Sequence, residues 1–318
     1  MDDSDVALLP HTLRTAAAES LADELSSRIP DLEVRIADTD ADTLAGFEDA
    51  TIVVTMGFEE DWYDHLGSVQ WVQALTAGYD HYDLDRFEAE DVILTNASGV
   101  HADPIAQQVL GYMLMFERNL HRAVRQQSHG EWDRFGGGEL GGKTLGIIGT
   151  GAIGSQVATV CSPYEMDVIG TKRDTSVSIE HVDRLLPPEQ SDELYPEVDY
   201  LVLACPLTDE TRGLIDADAL ELMPPESILI NIARGEVVDE AALIQALETG
   251  QIAGAALDVF EEEPLPEESP LWDLENVIIT PHMAGSTPHY WERCSELIAD
   301  NYPQFESGSY AAMNNRIV

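Results

Sequence analysis

The segment GKTLGIIGTGAIG, which ends at Gly154, constrains this chain more than any other. An apolar run, TLGIIG, stops at Gly149, and a helical pattern, SQVATVCSPY, follows Gly154. A strand, a glycine turn and a helix in that order open a doubly wound, dinucleotide-binding sheet. Gly149 permits the tight turn. Gly151 lets the backbone approach a pyrophosphate, and Gly154 lets the helix pack close to the sheet. Free N–H groups at the helix start then meet the phosphate charge.

The pattern continues on both sides. From Lys143 to about Pro281 the runs TLGIIG, MDVIG, YLVLAC, SILINIA, IAGAALDV and NVIIT read as strands. Helical stretches lie between them, such as DEAALIQALETG with Gly250 as its stop. Residues 1 to about 98 read as a smaller α/β unit. Its strands are LEVRIAD, ATIVVTM, VQWVQALTAG and DVILTNA, with helices at ESLADELSSRIP and near DTDADTLAGF. Such alternation predicts parallel sheets covered on both faces, and 318 residues favour two domains. Residues 101–126 form the longest helical pattern, with an apolar stripe of Ile105, Val109, Leu110, Met113 and Phe116. This helix is predicted to carry the chain between domains, and the glycine-rich GEWDRFGGGELGG follows it. STPHYWERCSELIADNYPQF is a last helix, predicted to return to the first domain.

Sixty acidic residues against sixteen basic ones leave a formal charge of -44. Such a surface repels nucleic acid and anionic membranes, and salt relieves its self-repulsion. A high-salt cytoplasm is the predicted setting. No apolar run is long enough to span a membrane, and MDDSDVALLP is no targeting signal. Cys161, Cys205 and Cys294 have no metal spacing and form no disulfide framework, so no metal site is predicted.

Against this charge, Lys172 and Arg173 occupy a telling place. The strand MDVIG ends at Gly170 and runs into Thr171, Lys172 and Arg173. An NAD site carries Asp or Glu about twenty residues after the glycine motif. A basic pair suits a 2'-phosphate instead, with Arg as fork, Lys as point charge and the Thr171 hydroxyl as a further partner. Two bases at a strand end are often solvated surface, but their scarcity here favours the phosphate role. NADP is the predicted preferred cofactor, and nothing in the pair forbids NAD. Lys143, the other lysine, is assigned no chemistry.

Three later segments place charged groups just past strands. They are NIARGEVVDE with Arg234, AALDVFEEEPLP with Asp258 and Glu263, and NVIITPHMAGST with His282. Ligands of a doubly wound sheet sit at the carboxyl ends of its strands, so the three segments are predicted to converge. A His beside a Glu makes an acid/base, and an Arg clamps a carboxylate. Together they suit reduction of a 2-keto acid by hydride transfer.

On these segments the chain resembles the D-isomer-specific 2-hydroxyacid dehydrogenase family over essentially its full length. The resemblance implies a Rossmann-type cofactor domain at 100–287. It also implies a smaller flavodoxin-like substrate domain, discontinuous, at 1–99 and 288–318. Arg234 would bind the substrate carboxylate, His282 would give and take the proton, and Glu263, directly before Pro264, would raise the basicity of His282. Ala77 and Gly78 would offer backbone N–H groups to the carboxylate. Asp258 would lie near the nicotinamide carboxamide; a buried structural acid is the lesser alternative, and the two roles can coexist. The cofactor set would comprise Gly149, Gly151, Ala152, Ile153, Gly154, Thr171, Lys172, Arg173, Cys205, Pro206, Thr211, Ile232, Ala233, Asp258, His282 and Ala284. The family also implies a homodimer through the cofactor domains, involving helix 101–126. Separately, two domains with a cleft between them predict closure on cofactor and substrate about hinges near 98–101 and 286–290. Gln107 stands where many relatives have Glu, which removes a charge.

The predicted reaction is reversible reduction of 2-keto acids to D-2-hydroxy acids with broad specificity. Met56, Phe58, Trp62, Tyr63, Tyr79, Tyr290 and Trp291 are predicted near the pocket. A glyoxylate or hydroxypyruvate reductase is the alternative. Glu263 argues against formate, because that branch uses Gln. A non-catalytic NAD(P)-sensing, corepressor-like protein is the competing class, and it would not need Arg234, Glu263 and His282 together.

Overall fold

A computed structural model describes residues 5–79 and 81–318. The start of the acidic N-terminus and Asp80, within LTAGYDHYD, lie outside the described residues. The chain forms two units, Met1–His101 with Thr287–Val318, and Ala102–Ser286.

In the first unit the elements run β1 (Val6–Leu9), α1 (Thr15–Arg28), β2 (Glu33–Ile36), α2 (Asp40–Gly46), β3 (Ile52–Thr55), β4 (Trp71–Ala74), α3 (Leu84–Ala89) and β5 (Ile93–Thr95). They build a parallel sheet in the order β2-β1-β3-β4-β5. Every residue of β1, β3, β4 and β5 is buried, as in sheets covered on both faces, while β2 is an exposed edge. The sequence pattern omitted β1, whose four residues VALL are too few to show a period.

The second unit runs α4 (Ala102–Glu117), α5 (Leu120–His129), β6 (Thr144–Ile148), α6 (Ala152–Cys161), β7 (Asp167–Thr171), β8 (Arg184–Leu186), β9 (Tyr200–Leu203), α7 (Ala217–Leu222), β10 (Ile228–Asn231), α8 (Glu240–Thr249), β11 (Gly254–Leu257) and β12 (Val277–Ile279). Its sheet is parallel, in the order β12-β11-β10-β9-β6-β7-β8. From β6 the chain steps outward to β7 and β8, then crosses to β9 on the other side of β6. That reversal makes the carboxyl ends of β6 and β9 the topological switch point, where such sheets bind ligands. Edge strand β8 is only three residues long and also escapes the sequence pattern. α8 stops at Gly250, whose φ of 69° is the left-handed cap that the glycine predicts.

The single helix predicted over 101–126 is two. α4 ends at Glu117, and Asn119 takes φ 53°, a left-handed conformation that Asn tolerates better than most residues. Its side-chain amide donates to Gly136 O at 2.9 Å, tying the break to the glycine-rich loop. The stripe Ile105, Val109 and Met113 is buried, whereas α5 buries nothing. The longest helix among the described residues is instead α9 (Tyr290–Glu306), which belongs to the first unit. There Ile298 and Tyr302 share a core with Leu21 and Leu25 of α1.

Candidate active site

The glycine turn is built by contact as much as by conformation. Gly149 has φ 94°, and a Cβ there would lie 2.9 Å from the Cys205 backbone. A Cβ on Gly154 would lie 2.3 Å from Gly149 O. At Gly151 a Cβ would meet nothing within 4 Å, so the middle glycine faces open space. Gly151 is also the N-cap of α6 and makes no side-chain cap bond, which leaves the first N–H groups of that helix for a ligand. A cleft of about 840 Å³ opens at this turn.

Gly149, Gly151, Thr171, Lys172, Arg173, Cys205, Pro206 and Thr211 all line that cleft. Lys172 Nζ donates to Thr150 O at 3.0 Å, one of its three hydrogens, and Arg173 is exposed. Thr171 is nearly buried and its hydroxyl accepts the Gly149 N–H at 2.9 Å, so it shapes the turn. Burial pushes the Cys205 thiol up to about 11. Sequence reasoning missed the acids of the rim, Asp174, Glu189, Asp192 and Glu210. A Ser176 hydrogen bond, aided by the Lys172 charge, lowers the Asp174 carboxyl. A Thr208 hydrogen bond, aided by Arg173, does the same for Glu210. These residues fit a nicotinamide dinucleotide, with open backbone for the pyrophosphate at Gly151. Ala152 and Ile153 begin α6, and Gly154 is packed behind them. Ile232, Ala233, Asp258, His282 and Ala284 follow β10, β11 and β12 and do not line this cleft.

The Arg234, Glu263 and His282 segments are locked together by backbone. Asn231, at the end of β10, accepts the Ala233 N–H at 3.0 Å and donates to Arg234 O at 2.9 Å. Arg234 Nη1 donates to Ala233 O at 2.8 Å. A Cβ on Gly235 would lie 1.9 Å from the Phe260 carbonyl carbon, so only glycine lets the Arg234 loop rest on the loop after β11. The sequence pattern did not single out Gly235. Glu263 Oε1 accepts the Phe260 N–H at 3.1 Å, and Oε2 accepts from His282 Nδ1 at 2.7 Å. A carboxylate on Nδ1 fixes the ring and leaves Nε2 to exchange a proton. The imidazole is half exposed.

His282 has φ 49°, uncommon for a residue with a side chain. Asp258 holds it there. Its carbonyl accepts the His282 N–H at 2.8 Å, and its carboxylate accepts Met283 N–H at 3.0 Å and Ala284 N–H at 2.9 Å. The Thr280 hydroxyl donates to the same carboxylate. The structure thus gives Asp258, only 2% exposed, a structural role in the histidine turn.

Ala77 and Gly78 follow β4 in the first unit. Thr76 Oγ1 donates to Gly78 O at 2.7 Å, and Ala77 O accepts from Asn96 Nδ2 at 2.6 Å. Among the described residues, neither the Ala77 nor the Gly78 N–H has an acceptor. The aromatic lining predicted nearby is corrected in part. Trp62 and Tyr63 are buried in a core cluster with Phe47, Phe58 and Phe87, because rings fill the space under the sheet better than they face water. Tyr290 and Trp291 pack against the other core of that unit, whereas Met56 and Tyr79 are exposed. Lys143 pairs with Asp199 at 3.2 Å and Glu117 at 3.5 Å.

Residues 110–284 match the family described as D-isomer specific 2-hydroxyacid dehydrogenase, NAD binding domain. The chain belongs to the D-isomer specific 2-hydroxyacid dehydrogenase family. Membership makes this dehydrogenase an NAD(P)-dependent oxidoreductase of hydroxy acids. It is similar to a D-3-phosphoglycerate dehydrogenase of Methanocaldococcus jannaschii, 33% identical over 91% of this chain, which spans 56% of that relative's length. A glyoxylate reductase of Pyrococcus furiosus is 35% identical over 82% of this chain and 81% of its own length. Among solved structures, a family member from Xanthobacter autotrophicus Py2 in complex with NADPH and MES superposes with a TM-score of 0.87. It is 30% identical, with 99% of this chain and 98% of that one covered. Among the described residues, no helix is long and apolar enough to cross a membrane.

Proposed function

We propose that this dehydrogenase is an NADPH-preferring reductase of small 2-keto acids, glyoxylate and hydroxypyruvate foremost. The carrying observation is the His282 Nδ1–Glu263 Oε2 hydrogen bond of 2.7 Å beside the Arg234 loop. Arg234 binds the substrate carboxylate through its guanidinium fork. Bound NADPH supplies a hydride to the keto carbon. His282 donates the Nε2 proton to the carbonyl oxygen, and Glu263 offsets the charge of the imidazolium before that transfer. Ala77 and Gly78 act as further N–H donors to the carboxylate.

The small substrate is supported by the glyoxylate reductase that matches most of this chain. It displaces broad specificity as the preferred reading. The NADPH preference is supported by Lys172 and Arg173 in the cleft wall and by the NADPH complex of the Xanthobacter relative. Asp258, Ile232, Ala233 and Ala284 are proposed to border the nicotinamide end.

The first unit is proposed as the substrate-binding domain, and its strand order 2-1-3-4-5 supports a flavodoxin-like reading. A homodimer is supported by α5, which exposes Leu120 and Val124, and by Trp132, 91% exposed just after it. Such an apolar set is the kind that a second copy covers. The charge of -44 supports a high-salt cytoplasm and speaks against nucleic acid as partner.

The test is kcat/KM with NADPH for glyoxylate, hydroxypyruvate, pyruvate, 2-ketoisocaproate and phenylpyruvate. The two small hydrophilic acids are expected to lead. A branched or aromatic acid turned over about tenfold better, the worth of one or two methylenes in a fitted pocket, would reject the reading.

A further inference from the structure

We infer that Tyr112 and Thr280 are positioning residues for His282, acting through Asp258. The inference rests on the reading of His282 as the proton donor. Tyr112 lies on α4, is 2% exposed, and is 168 residues from Thr280 in sequence. Its hydroxyl meets Thr280 Oγ1 at 2.5 Å. Thr280 Oγ1 donates to Asp258 Oδ1, and Gln108 Nε2 donates to the Tyr112 oxygen at 2.9 Å.

Counting hydrogens fixes the direction of this chain. A hydroxyl has one hydrogen to give. Asp258 accepts from Thr280, Met283 and Ala284 and donates to none of them, the pattern of a carboxylate. Thr280 therefore spends its hydrogen on Asp258 and can only accept from Tyr112. Tyr112 spends its hydrogen on Thr280 and can only accept from Gln108. Burial raises the Tyr112 phenol above its usual range, against the lowering by Thr280 and Gln108, so it stays a donor at neutral pH. Every hydrogen points toward Asp258, whose carboxylate accepts the N–H groups of residues 283 and 284, while the His282 N–H is shared between the Asp258 and Thr280 carbonyls. A side-chain residue at φ 49° persists only where its surroundings hold it. The relay keeps the holding carboxylate in one orientation, and so keeps the imidazole aimed.

The test compares Tyr112→Phe, Thr280→Val and Thr280→Ser with wild type. Tyr112→Phe and Thr280→Val each remove a link with little change of shape. Expected are a fall in kcat of about tenfold, the size set by one unmet buried partner, and an unchanged KM for NADPH. Thr280→Ser restores the link and is expected to restore kcat. A second measurement needs no turnover. Hydrogen exchange at the Met283 and Ala284 amides is expected to quicken in Tyr112→Phe and Thr280→Val, but not in Thr280→Ser. Unchanged exchange in both defective variants overturns the relay, whatever the substrate proves to be. Quickened exchange with wild-type kcat overturns its link to His282. If wild type reduces none of the keto acids, the proposed function fails, and the exchange result still decides the relay.

Discussion

The carboxylate of Asp258 and the backbone N–H of Ala284 meet at 2.9 Å, inside the turn that carries His282. An amide in place of this carboxylate keeps one acceptor and turns an NH2 toward a donor. Asp258→Asn is therefore expected to lose about 1–3 kcal/mol of stability, the cost of a buried group left unmet. It should also lower kcat more than it raises KM. Denaturant unfolding and steady-state kinetics on one preparation would check both, and a variant with wild-type kcat would refute the placement of Asp258 behind the histidine.

Lys172 and Arg173 line the cleft on the side where the acids Asp174 and Glu210 also stand. Hydrogen bonds to a charged group contribute about 1.5–3 kcal/mol, so Lys172→Ala with Arg173→Ala should raise the KM for NADPH by roughly tenfold or more. NADH should change little. Equal losses with both cofactors would mean that the pair acts as general surface charge.

Two glycines separate packing from binding. A methyl on Gly235 would lie 1.9 Å from the Phe260 carbonyl carbon, and overpacking of this kind costs typically about 1–3 kcal/mol or more. Gly235→Ala should lower the melting temperature and the activity together. Gly151 has φ -80° and open space where its Cβ would stand. Gly151→Ala should melt like wild type yet bind NADPH more weakly, as seen in a fluorescence titration. Unaltered NADPH affinity would remove the pyrophosphate from that surface.

Glu240 sits against the acidic loop of Glu261 and Glu262. Burial first, and then the charges of those two residues, raise its carboxyl above the usual 4.5, although the Glu261 N–H opposes them. An acid whose folded pKa is raised favours folding while it is protonated. Its contribution is complete below the unfolded value and is lost as pH rises through the folded one. Glu240→Gln should therefore melt higher than wild type at pH 7, with the difference closing toward pH 4. An equal difference at both pH values would show that ionisation is not the cause.

With a charge of -44, the chain should lose stability as salt is withdrawn. Between about 1 M and 0.1 M the Debye length grows from roughly 3 to 10 Å, and acids that were screened begin to repel. A melting temperature that is flat over that range would refute salt adaptation.

Much of the site was legible because it is local. Gly149 and Gly154 are needed within one turn, and Arg234, Glu263 and His282 each follow an apolar run. What was illegible depends on partners far away in sequence. Trp62 and Tyr63 look like pocket residues until Phe47, Phe58 and Phe87 close around them. The helix predicted over 101–126 has unbroken composition, and its break is visible only where Asn119 turns left-handed and reaches Gly136. The strands VALL and Arg184–Leu186 are too short to carry a period.

By itself the sequence determined two parallel α/β units, a dinucleotide turn with a basic pair beside it, and the candidate trio Arg234, Glu263 and His282. Each of these follows from backbone freedom, apolar period or charge within a short stretch. The tertiary structure decided what holds those residues in place. Tyr112 reaches Thr280, Asp258 closes on residues 282–284, and Gly235 lies on Phe260. Strand order and packing bring these groups together, and no pattern within a single segment encodes which distant partner satisfies a buried hydrogen bond.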